Sequence, residues 1–313
     1  MKHMKKYIAL LLALLCLASL WGCGEKTPEE KEPEVTDPQQ NEEVQQTAPL
    51  SDTVACCDGN RTLRFQRNEA GSWEWKDDPD FPLDDTHVKT LLAAIETLMT
   101  LEPITTDQTP KSLNLEEDDT GKYITASNEK GETITWYLGK KDDNGSYYMR
   151  LDGDVTNAIY LSPTDLSAQI GRSIYDMMAL PKLPAIAADK ISAISIQAGE
   201  TTQQFQLVGD KWFDIGQVNV TAKMQTLLTY LAAPELAACV DFKPSKGAPA
   251  ICGLDKPTAV LTVDYMDQLD AAHTFTLFIG NTREQGYCVT VNDDTTIYLM
   301  DAPLVKAVLA FVQ

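Results

Sequence analysis

The segment QQFQLVGDKWFDI (Gln203–Ile215) alternates Phe205 and Leu207, turns at Gly209-Asp210 and runs on into Trp212. An earlier segment, TLRFQRNEAGSWEW (Thr62–Trp75), does the same with Leu63 and Phe65, a glycine-containing turn, then Trp73 and Trp75. Side chains alternate between the faces of a strand and glycine supplies the turn, so each segment predicts a hairpin with tryptophan on its second strand. A chain that repeats such a pattern is read as a duplication before anything else.

Working outward, each hairpin is followed by helical spacing. Val88, Leu91, Leu92, Ile95, Leu98 and Met99 form one apolar stripe, with Asp84 or Asp85 as cap, and Val220, Met224, Leu227, Leu228 and Leu231 form the other, with Asn219 or Thr221 as cap. SLNL (Ser112–Leu115) then corresponds to ICGL (Ile251–Leu254), and ITWYLG (Ile134–Gly139) to FTLFIG (Phe275–Gly280). Tyr147 matches Tyr287, and Ile159-Tyr160-Leu161 matches Ile297-Tyr298-Leu299. Asn144-Gly145 is a hairpin turn with Gln285-Gly286 in the equivalent place. Ser162-Pro163 and Asp301-Ala302-Pro303 each start a closing helix. The offset between partners grows only from 136 (Leu91 with Leu227) to 141 (Gly139 with Gly280), which puts insertions in loops. The fold class expected is α+β: two tandem repeats, residues 51–180 and 191–313, each an antiparallel sheet with helices packed on one face, joined by a Pro-rich linker at 181–190.

The N-terminus reads differently. Lys2, Lys5 and Lys6 precede an apolar run from Tyr7, too short for the roughly 20 residues of a membrane helix, so residues 1–22 read as a signal peptide. Leu20-Trp21-Gly22-Cys23 is similar to the lipobox of bacterial lipoproteins, with Trp21 where a small residue is usual. That resemblance implies cleavage between Gly22 and Cys23 and fatty acylation on Cys23, with two or three chains making a durable membrane anchor. Residues 23–50 are rich in Glu, Pro and Gln and almost free of large apolar side chains. They are expected to form a disordered acidic tether spanning about 30 Å. The expected location is extracytoplasmic, on a bacterial membrane.

The formal charge is −20, and −23 once the three signal lysines are gone. A polyanion of this size is unsuited to nucleic acid, whose binding relies on Lys and Arg meeting phosphate. Signal, tether and paired units, with their "NL" or "GL" turns and "LG" or "IG" strand ends, resemble the bacterial lipoproteins grouped as domain of unknown function 4340. The resemblance implies no catalytic residues. It does imply a protein partner, because such lipoproteins are often found with ABC-type transport systems.

Signatures of chemistry are sparse. HExxH, GxSxG, phosphate loops and GxGxxG are missing, no cofactor is implied, and His87 and His273 lack the neighbours of a metal site. His87 is expected to be solvated in a first helical turn. Carboxylates cluster in predicted turns, at Asp77, Asp78 and Asp80, Glu116–Asp119, Asp142-Asp143, Asp152 and Asp154, and Asp293-Asp294. A glycan or peptide hydrolase would need two of them to converge. Asp152-x-Asp154 lacks the glycine and glutamate of an EF-hand loop. Cys239 and Cys252 flank one loop and either close it as a disulfide or sit as small buried hydrophobes. Strand alternation sends most aromatic residues inward, leaving Trp75 and Tyr148 to contact a ligand. Three readings follow: a non-catalytic binding or assembly module, an envelope hydrolase, and a solute receptor with a closed pocket between its halves.

Overall fold

The computed structural model describes residues 52–116, 121–284 and 286–312; the signal, Gly22, Cys23, the tether and Gln285 lie outside the described residues. Two antiparallel sheets organise the chain. The first contains β1 (Thr53–Asp58), β2 (Thr62–Arg67), β3 (Trp73–Trp75), β4 (Lys122–Ser127), β5 (Thr133–Lys141), β6 (Tyr147–Leu151) and β7 (Tyr160–Leu161), in the order 3-2-1-4-5-6-7. The second contains β8 (Ile191–Ala198), β9 (Thr201–Val208), β10 (Lys211–Asp214), β11 (Ala238–Asp241), β12 (Ala259–Met266), β13 (Ala272–Arg283), β14 (Gly286–Val291) and β15 (Ile297–Asp301), in the order 10-9-8-12-13-14-15-11. With β11 set aside, the two orders match strand for strand.

Both expected hairpins are present, with Trp73 opposite Arg67 and Trp212 opposite Leu207. Each gains a strand that the hairpin pattern did not announce, β1 or β8, which joins the hairpin to the rest of its sheet. At the far edge the first repeat makes one hydrogen bond, Ile104 N–H to Ile159 C=O at 2.8 Å, where the second builds β11 along β15. Pro103 has no N–H to offer a ladder at that place.

Helices cover one face of each sheet. In α1 (Thr86–Leu98) and α3 (Thr221–Leu231) the expected stripes are buried: Val88, Leu91 and Ile95 in one, Met224, Leu227 and Leu231 in the other. The residues just before the N-caps Asp85 and Val220 also correspond, since Asp84 Oδ1 accepts the Thr86 N–H at 3.0 Å and Asn219 Oδ1 accepts the Thr221 N–H at 3.0 Å. The closing helices differ: α2 (Ser167–Ile170) is a single turn stopped at Gly171, whereas α5 (Ala302–Leu309) buries Leu304, Val305 and Val308.

The opposite face carries a second shared device. After α1 the turn at Lys111–Asn114 lies over Gly139 of β5, and after α3 the short α4 (Ala248–Ile251) with Cys252 lies over Gly280 of β13. A Cβ at Gly139 would land on the carbonyl oxygen of Leu113, and one at Gly280 on that of Cys252. Glycine is therefore required for close backbone approach in both strands. The next residue takes the left-handed conformation in both, Asn114 with φ 58° and Gly253 with φ +69°. Asn is the side chain that best tolerates that region, which explains why "NL" and "GL" are interchangeable. Leu115 N–H then bonds Pro110 C=O at 2.9 Å, and Leu254 N–H bonds Pro249 C=O at 2.7 Å.

The repeats share one core. Phe81, in the loop after β3, is buried edge-on to Trp75 at 5.6 Å and to Phe242 at 5.2 Å, and stacks on Tyr175 at 6.4 Å. Tyr175 donates its hydroxyl to Asp241 at 2.9 Å, and burial, then Asp241, pushes its pKa up. The Pro-rich stretch packs as well, because Ile186 is buried and its N–H reaches Leu231 C=O at 2.9 Å.

Candidate functional site

Several turn carboxylates are occupied by their own turns, while Glu117–Asp119 lie outside the described residues. Asp58 Oδ1 accepts the N–H groups of Asn60 and Arg61 at 2.7 and 2.8 Å, Asp142 those of Asn144 and Ser146 at 2.9 Å each, and Asp267 those of Leu269 and Ala271 at 2.8 and 2.9 Å. Asp154 and Asp294 each accept from the residue two further on. These bonds favour the ionised form. Backbone N–H groups of Arg61 and Asn60 hold Asp58 below the usual carboxylate range, the Thr86 hydroxyl does so for Asp84, the Thr156 hydroxyl for Asp154, and the Ala271 N–H for Asp267. A general acid needs the opposite shift. Among the described residues no group of three His, Cys, Asp or Glu side chains is placed to hold a metal ion.

Several expectations are corrected. Trp75 is half-buried: its indole nitrogen is enclosed without a hydrogen-bond partner, and the Phe81 ring from the following loop packs edge-on to it at 5.6 Å. Tyr148 is half-buried against the apolar cluster of Leu113, Leu115 and Ile159, since the turn over Gly139 closes that end of the outer face. His87 is buried at 6% exposure, with Nε2 at 2.9 Å from the Gln169 carbonyl of α2. Desolvation by burial, then the charge of Arg172, pushes its pKa down, against the Gln169 bond that pulls it up. His273 is exposed and paired with Asp267 at 3.0 Å. Cys239 and Cys252 are free and pack in different apolar clusters: Cys239 joins the main core, and Cys252 lies beside Cys288. The loop between 239 and 252 thus ends on opposite sides of its sheet edge instead of closing on itself.

One open surface is the outer face of the second sheet at β8 and β9. Register aligns Gln204, Ser195, Thr262 and Thr276 in one row and Gln206, Ala193, Asp264 and Thr274 in the next. A groove of about 350 Å³ runs over this surface, lined by Ser195, Gln204, Gln206 and Asp264 and walled by Ile215 and Gln217 of the β10–α3 loop. Gln217 holds φ at 62°, and Asp214 Oδ1 accepts the Val218 N–H at 2.8 Å, which folds the loop back so that Ile215 stands 78% exposed. Amides, hydroxyls and one carboxylate beside an unburied isoleucine offer hydrogen bonds and an apolar contact to a partner. Sequence reading passed over these residues because Gln and Ser on a strand look like an ordinary solvated face. The only signal was Ile215 and Val218 apolar within a glycine-containing loop.

Comparison with curated proteins and with solved structures gave no match. A family described as a domain of unknown function (DUF4340) matches residues 73–257, from β3 of the first sheet through β11 and α4 of the second. The matched stretch crosses the joint and contains the filled aromatic contact of Phe81, Tyr175 and Phe242, so the family's unit takes in parts of both repeats. With more than half its length covered, the chain belongs to the DUF4340 family.

Proposed function

We propose that this protein is a lipid-anchored, extracytoplasmic binding or assembly module, accessory to an ABC-type transport system, that meets a protein partner through the outer face of its second sheet. The observation that carries the reading is the exposed Ile215 beside the polar groove of Ser195, Gln204, Gln206 and Asp264. Isolated exposed apolar residues are common, but one standing at the wall of a groove rich in hydrogen-bonding groups matches the make-up of an interface better than that of a plain surface. The anchor rests on Cys23 after an apolar run, and the tether on the acidic composition that follows.

The two other readings have less support. A hydrolase needs a raised carboxyl, and the turn aspartates are pulled the other way. A solute receptor needs an enclosed space between its halves, and Phe81 with Tyr175 and Phe242 occupies their meeting place.

The test is a photocrosslinking residue placed at Ile215 in cells, with the same residue at Glu96 on α1 as control. The expected result is a crosslink to an integral membrane component from position 215 alone, lost together with fatty-acid labelling in Cys23→Ala. Equal capture from both positions, or turnover of glycan or peptide by the purified protein, overturns the reading.

A further inference from the structure

Two positions face each other on the outer side of both repeats, and the residues there differ in kind. In the first repeat they are Leu113, whose carbonyl lies over Gly139, and Tyr148, the residue after Tyr147 in β6; both belong to one apolar cluster. In the second they are Cys252, whose carbonyl lies over Gly280, and Cys288, the residue after Tyr287 in β14. Cys252 and Cys288 are 6% and 2% exposed and pack with Ile297 in one small buried cluster. The backbone under them is fixed, because Asn281 N–H bonds the Cys252 carbonyl at 2.7 Å and Cys288 lies in the adjoining strand of the sheet.

We infer that Cys252 and Cys288 are a disulfide site: under oxidising conditions their two sulfurs join and tie the α4 turn to the sheet it covers. Two thiols buried in one cluster, one over Gly280 and the other on the adjoining strand, are placed for a disulfide to bridge, and both chain segments are already held in place. The other described thiols have no such neighbour. Cys56 and Cys57 are adjacent in β1 and point to opposite faces, with Cys57 Sγ donating to Gly121 C=O at 3.1 Å. Cys239 packs in the main core.

The step is thiol–disulfide exchange with an external disulfide, such as an oxidised dithiol protein or oxidised glutathione. One cysteine thiolate attacks the external S–S bond and releases one thiol. The second cysteine then attacks the mixed disulfide and releases the other. The protein dithiol loses two electrons and two protons, which leave as two thiols of the reduced partner. Burial pushes the Cys288 thiol up to about 12, so the folded protein presents little thiolate, and closure belongs to folding or to local opening of the α4 turn. Occurrence of the bond in the cell rests on the extracytoplasmic reading, where disulfides persist; the pairing itself does not.

The experiment refolds the full chain in a mixture of reduced and oxidised glutathione, alkylates free thiols and maps peptides by mass spectrometry without reduction. A peptide linking Cys252 to Cys288 is expected in most molecules, with Cys56, Cys57 and Cys239 alkylated. The denaturation midpoint should drop on reduction, and Cys252→Leu, which installs the first repeat's residue, should fold while abolishing both the linked peptide and the drop. A refolded chain with Cys252 and Cys288 both alkylated, or with Cys252 linked to Cys239, overturns the inference. The same mapping on protein taken directly from cells is read separately: a linked peptide after refolding but free thiols from cells refutes the extracytoplasmic location and leaves the pairing standing.

Discussion

The turn over Gly139 and the turn over Gly280 have the same backbone and different side chains, and the contrast separates what the fold demands from what it merely permits. In both, a carbonyl sits where a Cβ would have to be, the next residue is left-handed, and the following leucine bonds back to a proline carbonyl. The flanking side chains have diverged from Leu113 and Tyr148 to Cys252 and Cys288. The duplicated constraint is therefore steric and lies in the main chain. Apolar packing on top of it is adjustable, because many shapes fill a small cluster.

The comparison breaks most easily at the two glycines. Gly139→Ala and Gly280→Ala should each destabilise the protein by about 3 kcal/mol, since the atom that the new methyl meets is backbone and the turn must lift away from the sheet. Gly247→Ala, with open space around its Cβ position, should change stability by less than about 0.5 kcal/mol. Urea denaturation monitored by tryptophan fluorescence measures all three. A large loss for one of the first two variants with none for the other would mean that the repeats do not use the same device.

A smaller effect sharpens the contrast between the helices. At the offset that aligns Leu91 with Leu227, His87 of α1 corresponds to Lys223 of α3; His87 is buried against Gln169, while Lys223 places Nζ 4.6 Å above the Phe311 ring. Burial lowers the folded pKa of His87 from 6.5, so the unfolded chain takes up its proton first as pH drops. The stabilisation from the neutral ring is complete above pH 6.5 and is lost as pH falls from there through the lower folded value. His87→Gln, whose amide can still donate to Gln169, should cost about 1 kcal/mol at pH 7.5 and make the denaturation midpoint flatter between pH 7.5 and 5.5. An unchanged slope would assign the pH dependence to other groups.

How much of this was legible follows the same division between backbone and side chain. The hairpins, the helices α1 and α3, and the equivalence of SLNL with ICGL could be read because each is encoded locally, by alternation, by helical spacing or by a residue that suits a left-handed turn. The strands β1 and β8 were not, since TVACCD and ISAISIQA present Cys, Ser and Ala where a clear apolar alternation would have marked a strand. The half-burial of Trp75 and Tyr148 was not legible for a tertiary reason: what packs on them, Phe81 and the Leu113 turn, arrives from elsewhere in the chain. The proximity of Cys252 to Cys288 is likewise set by sheet register and not by spacing. The groove beside Ile215 exists only in the folded chain, because a polar strand face becomes concave when the β10–α3 loop walls it.

The smallest expected effect concerns how the repeats are tied together. Lys243, next to β11, reaches back to the first repeat, with Nζ 2.8 Å from Asp78 and 3.0 Å from Asp80. The pair is solvent-exposed, so its contribution should be about 0.5 kcal/mol and fall with salt. Lys243 also holds φ at 52°, a conformation that costs a non-glycine residue about 1 kcal/mol. These two contributions oppose each other, and two substitutions separate them. Lys243→Ala removes the ion pairs and keeps the backbone strain, whereas Lys243→Gly removes both. If the junction is held by Phe81, Tyr175 and Phe242, the glycine variant should be more stable than the alanine variant by about 1 kcal/mol, and both should still unfold in one transition. Should either variant unfold in two steps, the ion pairs would be what couples the repeats, and the aromatic contact would be secondary.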